Sequence, residues 1–424
     1  MIPVYRTRDV FIAGGTPRET YNPRQASKIE KQLDRYLEGQ GKALTIYGPS
    51  KSGKTSLVER KLPKLDNIWV QGQDITTLDD FWRQIAAQIN VPNTLSEGTS
   101  SDKGEEESIG GGIGIPRVIH ANINSKDTSS ATQKRDESFE VHLAERVRTS
   151  LAQSKRPVIV DDFHYIPDRV KKSIARAIKS IIRDSPLILI AVPSEAFEVV
   201  SSEPEMNLRV WSLPIPHWEV SELAEIAGRG FKLLNINDTG DAIATALADV
   251  SYSSPYIMQQ LCLDLVRWEH DIKETCPEQD PLDLTAPIDM DSFLNESAER
   301  ARWGILEKLL AGPPRSNRVD QRLRKDGTIT DIYGAVLVAI KNLTPPLNHP
   351  EYAVYQEVLR ICSTTVQSIQ VSNALEGMHK IADRERGDSD PVLRRRGGQL
   401  YIEDSGFAFY LNHGSWSPEK KKHD

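Results

Sequence analysis

The sequence predicts an α/β fold. A P-loop NTPase parallel sheet with helices on both faces comes first, then a helical lid and a C-terminal winged-helix-like domain. Three observations predict it. Short apolar runs (ALTIY, PVIV, LILIAV) recur between segments of helical periodicity, the signature of buried parallel strands joined by helices. One of these runs leads directly into GPSKSGKT, Gly48 to Thr55, which fits G-x-x-x-x-G-K-[ST] in full. Beyond residue 217 the strand signal stops until two short strands near Gly397-Gly398.

The elements follow in order. Residues 1–22 form a mixed leader. Asn22-Pro23 reads as a helix cap with proline at the first helical position, opening a helix to about Glu38. Ile29, Leu33, Tyr36 and Leu37 give it one apolar face, and Gly39 and Gly41 end it. Ala43 to Tyr47 is a buried strand, followed by the glycine-rich turn and a helix from Thr55. Asn67 to Val70 reads as a second strand. Thr77 to Asn90 reads as a helix carrying Phe81, Trp82, Ile85 and Ile89 at helical spacing. Residues 93–137, rich in serine, glycine, threonine and charge, read as a flexible insertion. A helix from Ser138 to Ser154 precedes PVIV, which ends at Asp161-Asp162. Helix Asp168 to Arg183 and the strands Leu187 to Val192 and Arg209 to Ile215 complete a core over 1–217. Helical segments at about 219–234, 239–250 and 255–270, without strand signal, form the lid over 218–289. In 290–424, helices at 291–310, 328–342, 351–363 and 367–384 are closed by two strands within VLRRRGGQLYIEDSGFAFYL, a winged-helix pattern.

Composition sets bounds. Of 424 residues, 38% are hydrophobic and 27% charged, as in a globular protein. No run of about 18 apolar residues predicts a membrane helix, and the start, MIPVYRTRDVF, lacks the apolar centre of a signal peptide. Cys262, Cys276 and Cys362 are too widely spaced for a zinc or disulfide framework. They read as buried thiols in a reducing cytoplasm. The net charge of −7 argues against indiscriminate nucleic-acid binding. The C-terminal third is nevertheless near neutral, with a basic cluster at Arg394, Arg395 and Arg396 that suits phosphate contact or a solvated hairpin.

The chemistry concentrates at the glycine-rich turn. Backbone N–H groups of Gly48, Pro49, Ser50, Lys51, Ser52, Gly53, Lys54, Thr55 and Ser56 (proline excepted) are placed to wrap phosphates, and Gly53 permits close approach. The following helix N-terminus adds positive potential. Lys54 places a point charge near the β- and γ-phosphates, and the Thr55 hydroxyl is placed to meet Mg²⁺. Asp161, ending PVIV, is the carboxylate expected at the metal. Asp162 is the candidate for polarising an attacking water, with His164 either assisting or packing. Ser194, just past LILIAV, is placed to sense the γ-phosphate. Arg209, before the last core strand, is placed to act in a neighbouring subunit's site. ATP and Mg²⁺ are the expected cofactors.

TYNPR, IYGPSKSGKTSLVER, VIVDDFHYI, LILIAVPSEAFE, RVWSLPIPHWEVSELAEIAGRGFKLLNI and SSPYIMQQLC together resemble the ATPase core of bacterial STAND and related AAA+ ATPases. They are similar to the archaeal and origin-recognition branch, over about residues 10–270. YIEDSGFAFYL resembles the last wing strand of the winged helix in those proteins. The resemblance implies that Tyr21 and Arg24 flank the adenine. It also implies that Ser254-Pro255 stands in a lid motif where Gly-x-Pro is usual. Two departures accompany it: no arginine follows Pro255 closely, and Asp162 stands where glutamate is common.

Three functional readings follow. The first is a slow Mg²⁺-dependent ATPase switch that forms homo-oligomers with nucleotide and regulates a partner protein, with phage defence as one setting. The second is a DNA-binding ATPase, a loader or transposition regulator, acting through the winged helix. The third is a nucleotide-binding scaffold with little turnover.

Overall fold

The computed structural model describes residues 3–89, 143–192, 206, 208–277, 280–285, 287, 289–300, 304–314, 322–386 and 391–419. The insertion at 93–137 and Ser194 lie outside them.

Five parallel strands form the central sheet: β1 (Ala43–Tyr47), β2 (Ile68–Gln71), β3 (Val158–Asp161), β4 (Leu187–Ala191) and β5 (Val210–Pro214), in the order β2-β3-β4-β1-β5. Ala43 pairs with Leu187 on one side and Val210 on the other, and Ile68 pairs with Val158. The apolar runs are continuous because both faces are covered. Alternate residues separate cleanly. In β4, Leu187, Leu189 and Ala191 join one core and Ile188 and Ile190 the other. The first core packs under helices Leu78–Gln88, 143–154 and Asp168–Ile181, with Phe81, Ile85, Val147, Ile174 and Ile178 buried. The second packs under helices Ile29–Leu37 and Lys54–Lys61 through Ile29, Leu33, Tyr36, Leu57 and Val58.

The predicted helix from Pro23 begins only at Ile29. Arg24 and Lys28 both adopt left-handed conformations, at φ 49° and 55°. Asn22 caps nothing helical. Its Nδ2 donates to Glu222 O at 2.8 Å and Glu225 Oε2 at 2.9 Å, and its Oδ1 accepts from Arg24 N. A long-range contact therefore overrides the local cap signal.

Helices Val220–Leu233, Ala242–Asp249 and Pro255–Asp264 follow the sheet. The region expected to lack strands contains one short pairing, Ile236–Asn237 with Leu282–Asp283. Val10 and Phe11 leave the leader and pack here too, against Phe231 and the face of Gly230, where a Cβ would lie 2.2 Å from the Phe11 ring.

The C-terminal region runs through helices Met290–Glu299, Gly304–Ala311 and Ile332–Leu343, strand Asn348–Pro350, helices Glu351–Ile361 and Ser368–Glu385, strands Leu393–Arg396 and Gln399–Ile402, and helix Ser405–His413. The three strands form an antiparallel sheet with Gln399–Ile402 in the middle. Three expectations are corrected. A break follows Glu299 in the predicted 291–310 helix, and residues 329–330 pair with 322–323 as strands where a helix was expected from 328. SGFAFYL is helical rather than a wing strand. Asp404 Oδ1 accepts from Gly406 N and Phe407 N, capping a helix buried over most of its surface, which hides its period.

One continuous apolar core joins the lid helices to this region. Asp264, 1% exposed, reinforces the junction by accepting from Arg300 Nη1 and Ser297 Oγ. No helix among the described residues is long and apolar enough to cross a membrane. Cys262, Cys276 and Cys362 are buried.

Candidate functional site

The loop Gly48–Gly53 leaves the C-terminal end of β1, beside the point where the chain's crossovers diverge to either side of the sheet, which is where open α/β sheets bind ligands. A Cβ on Gly48 would stand 2.7 Å from the Ile215 carbonyl oxygen, so no larger residue fits beneath β5. Gly53 enters helix Lys54–Lys61 with φ 88°, a left-handed conformation suited to glycine. Lys54 is buried, and its Nζ donates to Gly48 O at 3.0 Å and Pro49 O at 2.7 Å. A desolvated ammonium favours a nearby anion.

The acidic wall comes from β3, with β4 lying between it and β1. Thr55 Oγ1 donates to Asp161 Oδ1 at 3.2 Å, and Asp162 N donates to the same oxygen at 3.0 Å. Burial, reinforced by the Asp162 charge, pushes the Asp161 carboxyl up to about 6. Asp162 is also raised by burial, against the opposing pull of Lys54. His164 is driven down to about 4 by burial and by the charges of Lys54 and Lys171, so it is neutral near pH 7. Its Nδ1 is buried without a hydrogen-bond partner among the described residues.

Gly72, in the turn after β2, holds this wall in place. A Cβ there would lie 2.3 Å from the Asp162 carbonyl oxygen and 2.9 Å from that of Asp161. Backbone cannot yield as a flexible side chain can. Gly72→Ala is therefore expected to cost about 1–3 kcal/mol of stability and to displace the paired carboxylates, read as a lower Tm with reduced Mg²⁺-dependent nucleotide binding. An unchanged Tm and unchanged binding would show that the turn can move aside.

The loop and the acidic wall open into a cavity of about 390 Å³. Ser50 to Ser56, Asp161, Asp162, Tyr21, Arg24 and Pro255 line it, so most sequence-predicted site residues converge. Gly48 and Pro49 contribute through their carbonyls to Lys54. Pro255 opens helix Pro255–Asp264 after Ser254, whose Oγ caps it, and Ser253 holds a left-handed φ of 57° where the related motif has glycine. Arg209 is not in the cavity. Ala43 N donates to its carbonyl at 2.8 Å, which fixes it at the opposite end of the sheet from the loop, on edge strand β5.

Arg24 lines the cavity but its guanidinium is engaged. Nε donates to Glu222 Oε2 at 2.9 Å, Nη1 to Pro216 O at 2.9 Å and Nη2 to His217 O at 2.6 Å. Tyr21 OH donates to Glu30, while Arg60 covers its ring at 4.4 Å. Arg395, expected among the phosphate-contacting arginines, is instead held by Glu351 at 2.7 Å and Glu376 at 3.0 Å, and Arg394 pairs with Glu403 at 3.2 Å. Arg396 is exposed.

Sequence reasoning missed Trp218, Gln259, Thr20, Tyr256 and Gly72. Gln259 Nε2 donates to Thr20 Oγ1 at 2.7 Å and its Oε1 accepts from Ile12 N at 3.1 Å, tying the lid to the leader across the cavity. The lone tryptophan in PIPHWEV, between the last core strand and the lid, was the available signal for Trp218.

The residues present fit a nucleotide and its metal. Ser52 Oγ is buried in the loop without a partner among the described residues, as a donor awaiting an anion would be. No cluster of three or more His, Cys, Asp or Glu able to hold a metal occurs among the described residues. A nucleotide-linked Mg²⁺ needs only one or two protein oxygens, which Thr55 and Asp161 would supply.

No family model matches the chain, and no curated protein matches it. Solved structures do. The ORC2 protein of Aeropyrum pernix, described in ADPNP–ADP complexes, is 12% identical with a TM-score of 0.50, covering 96% of this chain and 97% of that one. Cdc6p of Pyrobaculum aerophilum is 12% identical with a TM-score of 0.42, covering 95% and 96%. The Thermotoga maritima RuvB branch-migration motor is 14% identical with a TM-score of 0.39, covering 94% and 98%. The ORC2 likeness shows a shared fold, that of the P-loop AAA+ ATPases.

Proposed function

We propose that this AAA+-fold chain binds ATP with Mg²⁺, hydrolyses it slowly, and uses the bound nucleotide to control assembly and a partner protein. The observation that carries the reading is the convergence of Lys54, Thr55, Asp161 and Asp162 in one cavity, with the Thr55 hydroxyl 3.2 Å from Asp161. Nucleotide in the ADPNP–ADP complexes of the fold-related ORC2 protein supports it. The loop amides and Lys54 would hold the phosphates, and Thr55 and Asp161 would hold the metal, which would supply charge neutralisation at the phosphates. Asp162 accepts a proton from the attacking water. Titration calorimetry with ATP, with and without Mg²⁺, tests the binding; no heat in either case would overturn it.

Assembly is proposed from Arg209. Its place at the far end of an edge strand, roughly 15 Å of strand from the loop, keeps it from its own cavity and leaves it available to a neighbour's. Arg209→Ala is expected to lower turnover about 10³-fold, the usual order for such an arginine, with ATP affinity of the monomer retained. A mixture of Arg209→Ala and Lys54→Ala chains should recover part of the activity, since an intact Lys54 site then meets an intact Arg209. A protein that sediments as a monomer with a non-hydrolysable ATP analogue, its natural partner included, would refute the assembly reading.

DNA binding is the second reading. The order helix, strand, helix, helix, hairpin in the C-terminal region supports a winged-helix domain. The engagement of Arg395 by two carboxylates weighs against the hairpin as its contact. Duplex affinity that falls steeply with salt would favour this reading over the first.

A further inference from the structure

We infer that Trp218 is a positioning residue for the phosphate loop and that Arg24 acts through it, a role that rests on the loop's being a nucleotide site. The indole is buried, and its Nε1–H donates to the Ser52 carbonyl at 2.9 Å. A buried indole N–H requires an acceptor, and here the acceptor is the loop's own backbone. In a trans peptide the N–H points opposite to the carbonyl. Holding Ser52 C=O on the indole therefore fixes the Ser52–Gly53 peptide plane, and with it the direction of the Gly53 N–H. Gly53, at φ 88°, has no side chain to restrict that plane, so a group outside the loop must set it. The indole also packs there: a Cβ on Gly53 would meet Trp218 Cζ2 at 3.9 Å.

Trp218 is itself held from behind. The Arg24 guanidinium lies 4.5 Å from the indole centroid, and its bonds to Pro216 O and His217 O fix the backbone that enters the tryptophan, while its bond to the Glu222 carboxylate ties it to the helix that follows. Arg24 closes the run Tyr21-Asn22-Pro23-Arg24, all four of which line the same cavity. The chain of contacts thus runs from the leader segment, through Arg24 and Trp218, to the peptide that faces the phosphates. Arg24 is a mechanical support in this arrangement, not a ligand.

Trp218→Phe keeps an aromatic ring for Arg24 and removes the N–H. Mg²⁺–ADP is expected to bind about tenfold more weakly, the order of one net hydrogen bond. The nucleotide-free Tm should stay within a few degrees, and the Tm gain from saturating ADP should shrink. A role in packing alone would do the opposite, lowering the nucleotide-free Tm while the folded protein bound ADP as before, and that result would overturn the inference. Arg24→Lys keeps the charge but cannot make the three-way grip, so it should weaken ADP by a similar factor. The double variant should bind no more weakly than either single one; additive losses would show that Arg24 does not act through Trp218. If Trp218→Phe does not fold, benzothienylalanine at position 218, which keeps the bicyclic shape without the N–H, carries the same test. A wild-type protein that binds no ADP would overturn the nucleotide reading together with this role. Wild-type and Trp218→Phe proteins that bind equally would overturn this role alone.

Discussion

Lys54→Ala is expected to weaken ATP binding by about a hundredfold or more, since it deletes the charge-assisted bonds that a buried ammonium makes to phosphate. The fold should survive. Lys54 begins helix Lys54–Lys61 and its side chain joins none of the apolar cores, so alanine removes no packing the sheet depends on. Its ammonium bonds to the Gly48 and Pro49 carbonyls of the loop itself. Calorimetry for affinity and circular dichroism for fold separate the two effects. A folded variant with wild-type affinity would refute the phosphate site.

Asp162→Asn is expected to lower turnover by about 10²–10³-fold while ATP affinity changes only a fewfold, because the amide keeps the size and hydrogen bonding but cannot take a proton. Its neighbours sharpen the expectation. The backbone of Asp162 holds a left-handed φ of 54°, with its N–H on Asp161 Oδ1 and its carbonyl against Gly72, so an isosteric side-chain change leaves those contacts in place. Asn also tolerates that conformation better than most residues. Steady-state phosphate release with Mg²⁺ measures the effect. Equal turnover in variant and wild type would remove Asp162 from the chemistry, and a wild type with no turnover would favour the scaffold reading.

The sheet was legible because its strands are buried on both faces and read as unbroken apolar runs, each joined to a helix of clear period. The phosphate loop was legible because its chemistry demands glycine and lysine at fixed spacing beside a strand. Asp161 and Asp162 were legible as the polar end of an apolar strand. What escaped depended on contacts between distant parts of the chain. Trp218 and Gly72 matter because of Ser52 and Asp162, and no local pattern records either meeting. Asn22 looked like a cap because its true partners, Glu222 and Glu225, lie far along the sequence. Arg24 was placed at the cavity it lines, but its burial and its three acceptors are invisible in a string of residues. The last helix passed for a strand because Phe407 to Leu411 are buried on every side, leaving no polar face to count from.

The shared apolar core between the lid and the C-terminal region has a mechanical meaning. Close-packed side chains do not slide past one another, and the Asp264–Arg300 bond pins the same seam. Those two regions are therefore packed as one body. That body also reaches the glycine-rich loop, because Lys51 Nζ lies 3.5 Å from Asp404 Oδ2, the residue that caps helix Ser405–His413 two positions after the hairpin strand Gln399–Ile402. A loop that shifted around phosphate would pull on the C-terminal region through that ion pair, so the region would sense the site by direct contact.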